Sequence, residues 1–109
     1  MNQRHVGTWH FVIYDDEVAK LLIKFCDSEH VRLYAYAKHT RACNKPHWHF
    51  VFLFYRPITL YHIVCLSGVC LDDPQTFKGA FDAHLRYLIT ESLTNFESIV
   101  ITNSRINAI

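Results

Sequence analysis

Residues 46–55 read Pro-His-Trp-His-Phe-Val-Phe-Leu-Phe-Tyr and form the most strongly strand-like stretch of the chain. Aromatic and β-branched residues favour strands, and proline is tolerated at a strand's first position. Residues 30–39 alternate in character at a period of two and also predict a strand. Because only the short polar turn 40–45 separates them, the two stretches predict a β-hairpin with histidines near its turn.

Further strands and helices are predicted on both sides of this hairpin. Apolar residues three or four apart predict helices, and Arg56-Pro57 is expected to stop the second hairpin strand. The predicted class is therefore α+β, with an antiparallel central sheet flanked by helices. In chain order the other elements are a strand over 8–14, a helix opened by Asp15-Asp16 and ended by Asp27-Ser28, a short helix over 60–66 ended by Gly68, a turn at 72–74, a helix over 76–90 and a strand over 97–102.

The composition is that of one globular domain spanning residues 1–109. Half of the residues are hydrophobic, and glycine and proline occur only three times each, which excludes a disordered chain. The formal net charge is +1, so any nucleic acid must be bound by local contacts without a large basic field. No apolar run approaches the roughly 20 residues of a transmembrane helix, so we expect no membrane partner.

The four cysteines lack a Cys-x-x-Cys pair, and no secretory signal opens the chain. We therefore expect an intracellular protein with reduced thiols. A zinc site on Cys65 and Cys70 would need two further ligands at matching spacing, so a role as small buried hydrophobes is favoured. That expectation covers Cys26, Cys43, Cys65 and Cys70.

Eight histidines are an unusual number for 109 residues. His47 and His49 stand two apart on the predicted strand, so their imidazoles leave the same face about 7 Å apart. His39 ends the strand expected to pair with it, which predicts a cluster of three. Neutral imidazoles favour Mn²⁺, Zn²⁺ or Co²⁺ over Ca²⁺. The alternative is that these histidines are partly buried and satisfied by hydrogen bonds alone.

Tyr87 is a candidate nucleophile. It lies at the edge of the apolar stripe of the predicted third helix, with His84 one turn before it and Glu91 one turn after it. A tyrosine hydroxyl titrates near 10 and needs a metal or base to react, and its attack on phosphorus gives a covalent phosphotyrosine. The alternative reading of Tyr87 as a packing residue at the core edge stays open.

The motifs resemble those of the HUH endonucleases, the catalytic domains of rolling-circle replication initiators, and most closely the plasmid Rep proteins. The resemblance covers most of the chain, including the opening strand and residues 56–59. The family's His-hydrophobic-His signature after Lys-Pro is similar to Lys45-Pro46-His47-Trp48-His49, its upstream metal histidine to His39, and its Tyr-Leu-x-x-Glu-Ser motif to residues 87–92.

This resemblance implies a ferredoxin-like HUH fold and a metal-dependent single-stranded DNA endonuclease and strand transferase that initiates rolling-circle replication. Tyr87 would attack the origin nick site, leaving a 5′-phosphotyrosyl adduct and a free 3′-OH, and the reversible step would also rejoin DNA. Mn²⁺ or Mg²⁺, with Zn²⁺ or Co²⁺ as alternatives, would be held by His39, His47 and His49.

The chain departs from the family at two positions. Ala42 replaces an acidic metal ligand, a loss that a three-histidine site or Glu91 as a further ligand would repair. Thr90 replaces a basic residue, and His84 or Lys78 is the candidate proton carrier or phosphate contact in its place. The expected DNA-binding residues are Lys38, Arg41 and Lys45 around the hairpin and Arg86 beside the tyrosine, whereas Trp48 is expected in the core.

The implied partner is single-stranded DNA at a replication origin, with a helicase domain or host replication proteins as further partners. The protein would act in the cytoplasm of a bacterium or archaeon, or in the nucleus if it comes from a eukaryotic virus. Three alternatives remain: a single-tyrosine transposase, a non-catalytic origin-binding domain of the same fold, and a metal-binding interaction domain with no role on DNA.

Overall fold

The fold combines strands and helices in a computed structural model that describes residues 6–41, 45–69, 71, 80–102 and 104–106. The predicted α+β class, with an antiparallel sheet flanked by helices, is confirmed. In the described part, the elements are β1 (Val6–Ile13), α1 (Asp16–Phe25), β2 (Val31–His39), β3 (His47–Ile58), α2 (Leu60–Ser67), α3 (Phe81–Thr94), β4 (Ile99–Ile101) and β5 (Ser104–Ile106).

The sheet has the strand order β1-β3-β2-β4-β5, and every neighbouring pair is antiparallel. The predicted hairpin is formed by β2 and β3, so β3 lies in the middle of the first three strands. Its register places His39 opposite His47 and Ala37 opposite His49. On the other side β1 pairs with β3 so that Val12 lies opposite His49. The histidine-bearing ends of β2 and β3 therefore meet at one end of the sheet, beside β1.

Each face of the sheet carries its own core, because side chains of a strand alternate between faces. Rings of β1 and β3 pack against α1 and α2 on one face: Trp9, Phe11, Phe50, Phe52 and Phe54 with Ala19, Leu22, Phe25 and Ile63. On the other face the small residues Ala35 and Ala37 make room for α3, whose Phe81 and Leu88 pack with Val51 and Ile99. This second face is the one that carries His39, His47 and His49.

Local signals fix the first two helices. The Asp15 carboxylate accepts from the backbone N–H of Glu17 at 2.8 Å, capping α1. Thr59 caps α2 through its hydroxyl, and Gly68, with φ of 72°, ends that helix in the left-handed conformation. No helix in the described ranges combines the length and the apolar character needed to cross a membrane.

The predicted ends of the second hairpin strand and of the third helix are wrong. Strand β3 continues through Pro57 to Ile58 instead of stopping, because its pairing with β2 ends at Phe54 and its ladder to β1 shifts register near the same point. Helix α3 is described from Phe81 and continues past residue 90 to Thr94. Strand β5 was not predicted. The predicted turn at 72–74 and residues 76–79, including Lys78, lie outside the described residues.

Two expectations about buried side chains have mixed outcomes. Cys26 is buried as predicted, and burial raises the pKa of its thiol to about 12, but Cys65 is exposed on α2. Cys43 and Cys70 lie outside the described residues. Trp48 points to the face opposite the histidines, as predicted, but it is only partly buried against the core there.

Replacing Leu88 by Ala is expected to lower the free energy of unfolding by about 2–5 kcal/mol, because this side chain is fully buried between α3 and the sheet. Urea unfolding measures the change. The matched control is Leu93→Ala on the same helix, where the side chain is exposed and the expected loss is below about 1 kcal/mol. Equal losses for the two variants would contradict the described packing of α3.

Candidate metal centre

The three histidines predicted to cluster do so. One ligand atom of each of His39, His47 and His49 lies within 4.8 Å of the others. His39 is the last residue of β2, and His47 and His49 open β3, so the pairing of these two strands is enough to bring the imidazoles together. Three imidazole nitrogens suit a divalent first-row cation and leave positions open for oxygen ligands of a substrate.

Each imidazole of the cluster also makes a hydrogen bond through one of its ring nitrogens. His47 Nδ1 donates to the carbonyl oxygen of Lys45 at 3.0 Å. His39 Nε2 lies 2.9 Å from Ser92 Oγ of α3, and His49 Nδ1 lies 2.8 Å from His10 Nε2 of β1. Metal-binding histidines usually use their second nitrogen in this way, which fixes the ring and its tautomer. The donor set and its supports therefore fit a bound divalent cation.

His10 and His84 extend the cluster and were missed as its supports by the sequence analysis. Both are buried, and His10 Nδ1 lies 3.1 Å from His84 Nδ1. If His49 ligates through Nε2, its Nδ1–H donates to His10 Nε2, and His10 Nδ1–H in turn donates to His84 Nδ1. A cation at His49 thus sets one direction for the whole chain of hydrogen bonds. Pairing β1 with β3 in register is the step that places His10 there.

Burial favours the neutral form of His10, His39 and His49. It lowers the pKa of His49 to about 3, with the neighbouring His10 and His39 adding to the effect. Burial and the proximity of His84 lower the pKa of His10 to about 4. The pKa of His39 is also lowered by burial, although the carboxylate of Glu97 opposes the shift. Neutral imidazole is the form that binds metal, so protons compete weakly for this site at neutral pH.

Tyr87 lies beside the cluster on α3. Its ring centroid is 6.4 Å from those of both His10 and His49, and 44% of the residue is exposed. Partial burial and the nearby Glu91 carboxylate raise the pKa of its hydroxyl. The residue is therefore reachable from solvent, close to the imidazoles, and protonated at neutral pH.

The predicted ligand Glu91 is not part of the three-residue cluster in the described ranges. It is half-buried on α3, and its charge acts on the pKa of both His39 and Tyr87. Another carboxylate, Glu97, was missed by the sequence analysis. It is buried and accepts from the backbone N–H of Thr40 at 2.7 Å and of Arg41 at 3.3 Å. Glu97 thereby anchors the chain directly after His39.

The predicted DNA-binding residues do not share one face. Lys38 turns away from the histidines, lies 3.2 Å from the Asp16 carboxylate and sits over the ring of Trp48. Lys45 Nζ lies 4.6 Å from the ring centroid of Tyr14, whose ring is next to that of His47. Arg41 follows the cluster on the hairpin, and Arg86 adjoins the tyrosine on α3; both residues are exposed.

Removing one ligand tests the metal centre. We expect His49→Ala to weaken Co²⁺ binding at least about 100-fold, and His10→Ala to weaken it about 10–100-fold through loss of the supporting hydrogen bond. Isothermal titration of chelator-treated protein measures both, with thermal unfolding of the metal-free variants to confirm folding. His62→Ala, at an exposed position of α2, is the matched control. Wild-type affinity in His10→Ala would contradict the supporting role.

Acid is expected to destabilise the metal-free protein. The folded pKa values of His10 and His49 lie below their ordinary value of 6.5, so below pH 6.5 the unfolded chain binds more protons and stability falls. The slope that each imidazole contributes rises as pH falls from 6.5 and approaches about 1.4 kcal/mol per pH unit near pH 5. Urea unfolding in EDTA measures the slope. His10→Gln should reduce the slope; a slope equal to that of the wild type would contradict this assignment.

Comparisons with models of known protein families, with curated proteins and with solved structures find no match for this chain. The chemistry of the site therefore has to be read from its own residues. The structure brings together His39, His47 and His49 as candidate metal ligands, with His10 and Ser92 behind them. A site able to bind a divalent metal ion is the conclusion that this geometry carries.

Proposed function

We propose that the chain is a metal-dependent single-stranded DNA endonuclease and strand transferase of the replication-initiator type. Tyr87 is the nucleophile, and His39, His47 and His49 are the metal ligands. The observation that carries the proposal is the exposed, hydroxyl-bearing side chain of Tyr87 beside three clustered imidazoles. A packing role for the tyrosine is less compatible with its 44% exposure.

Helix α3 is tied to the imidazole cluster on both sides of Tyr87. Before the tyrosine, His84 is joined to His49 through His10; after it, Ser92 bonds directly to His39. These contacts hold the helix that carries the phenol at a set distance from two of the ligands. Positioning of a nucleophile against its target phosphate is a large part of catalysis in phosphoryl transfer.

The proposed reaction is a transesterification. Tyr87 Oη forms a bond to the scissile phosphorus, the bond from phosphorus to the 3′ oxygen breaks, and that oxygen takes up a proton to become a free 3′-OH. A divalent cation held by the three imidazoles would neutralise charge on the non-bridging phosphate oxygens. Because the phosphodiester energy is kept in the phosphotyrosine, the reverse step can join the DNA to another 3′-OH.

The remaining residues have supporting tasks. The hydroxyl proton of Tyr87 passes to solvent, which reaches this exposed residue. His84 is buried and hydrogen-bonded to His10. We therefore assign it the task of supporting the cluster, and not the role of a proton carrier. Arg86, next to Tyr87 on α3, and Arg41, two residues after His39, are exposed and are the candidate phosphate contacts. A single-tyrosine transposase would share this nicking step and differ in its target.

Formation of a covalent DNA adduct tests the proposal. Wild-type protein incubated with random-sequence single-stranded DNA and Mn²⁺ is expected to give a slower band on a denaturing gel, with the 3′-labelled fragment attached to protein. The 5′-labelled fragment should be released with a 3′-OH that a polymerase can extend. Tyr87→Phe should give at least about 1000-fold less adduct, because no other group replaces the nucleophile.

Two controls make the result specific. Tyr61→Phe removes the hydroxyl of another exposed helical tyrosine and should leave the adduct unchanged. EDTA should abolish it. Absence of adduct in the wild type, or adduct that persists in Tyr87→Phe, contradicts the proposed reaction. Single-stranded DNA binding without an adduct would favour the non-catalytic binding module instead.

A further inference from the structure

Phe96 adopts a backbone conformation that is unusual for its residue type. Its φ is 57°, and it is the only non-glycine residue with positive φ within the described ranges. This left-handed region places the Cβ atom close to the carbonyl oxygen and is adopted readily only by glycine and asparagine. A phenylalanine held there points to a local requirement for its side chain.

The conformation belongs to the end of helix α3. The N–H of Glu97 donates to the Ser92 carbonyl at 2.7 Å, and the N–H of Phe96 donates to the Leu93 carbonyl at 3.1 Å. These two bonds form a Schellman motif, whose left-handed position is usually glycine. The ring does not compensate for the strain by burial, because Phe96 is 63% exposed. Neither helix termination nor the core therefore explains the phenylalanine.

Phe96 lines a cavity of about 420 Å³ beside the hairpin. Two other aromatic residues of its wall are Tyr36 and Trp48, whose ring centroids are 6.3 Å apart. The indole is held in place, since its N–H donates to the Asp16 carboxylate at 2.8 Å. The volume lies within the range of small-molecule sites, roughly 300–1000 Å³.

Cationic groups stand beside these aromatic walls. Lys38 and Arg41 both line the cavity, and Lys38 Nζ lies 5.5 Å from the centroid of the Trp48 ring. The carboxylate in the wall, Glu97, already accepts from two backbone N–H groups and the Thr40 hydroxyl. Aromatic faces flanked by Lys and Arg are the combination that binds unpaired bases and their phosphates.

We propose that Phe96, Trp48 and Tyr36 form a pocket that binds one unpaired base of single-stranded DNA, with Lys38 and Arg41 contacting the adjoining phosphates. This inference rests on the proposed function. Lys38 and Thr40 flank the metal ligand His39 on the same strand end, so the pocket and the metal centre lie on opposite faces of one hairpin. A single strand of DNA that passes over the end of the hairpin contacts both the pocket and the metal centre. The pocket then binds a nucleotide near the one that is cut.

Binding of fluorescein-labelled random single-stranded DNA, followed by anisotropy in EDTA, tests the pocket without the metal or the chemistry. Phe96→Gly removes the ring and relieves the backbone strain, so it should weaken binding about tenfold while thermal unfolding occurs at the same or a higher temperature. Phe96→Tyr keeps a ring and should bind as the wild type does. Tyr61→Ala, which removes a ring of 66% exposure on α2, is the control.

A duplex of the same sequences should compete poorly, because a paired base cannot enter the pocket. Unchanged binding by Phe96→Gly, or an equal loss in Tyr61→Ala, overturns the inference. If the wild type forms the Tyr87 adduct and Phe96→Gly still binds normally, the pocket alone is wrong. If Phe96→Gly loses binding and no adduct forms, the proposed reaction alone is wrong. A wild type that binds no single-stranded DNA overturns both.

Discussion

The pairing of β2 with β3 is the constraint on which the rest of the site depends. His39 lies opposite His47, and His49 follows on the same face, because side chains alternate along each strand. A slip of one residue would move either strand's histidines to the other side of the sheet. The apolar pattern prevents such a slip: Phe50 and Phe52 fill one core while Val51 fills the other, so the burial of these residues also fixes the position of the imidazoles.

Helix α3 completes the site through a combination of packing and polar contacts. Ala35 and Ala37 let the helix approach the sheet, and Leu88 fills the space between the helix and the sheet. Beyond this apolar part, Ser92 and His84 face His39 and His10 in place of hydrophobic residues. Buried polar groups are tolerated because they are hydrogen-bonded to one another. The helix therefore has one docked position in which both its apolar and its polar contacts are satisfied.

Residue patterns were sufficient for the strands of the hairpin and for the three-histidine cluster, since both follow from alternation and short chain separation. They were not sufficient for His10 and His84, which meet only because β1 lies next to β3 and α3 covers that face. The extension of α3 to Thr94 was missed because Ser92, although fully buried, does not continue the apolar stripe. Pro57 suggested a strand end. It lies in β3 beyond Phe54, where the pairing with β2 ends, so no N–H is needed there for a hydrogen bond to β2.

The three imidazoles come from within residues 39–49, whereas α3 starts at Phe81. Contacts between nearby residues cost little chain entropy and form rapidly, while docking of a distant helix has to await its synthesis. During translation the hairpin therefore leaves the ribosome well before the phenol does. A nascent chain can therefore bring its three candidate metal ligands together before α3, which carries Tyr87, folds onto the sheet.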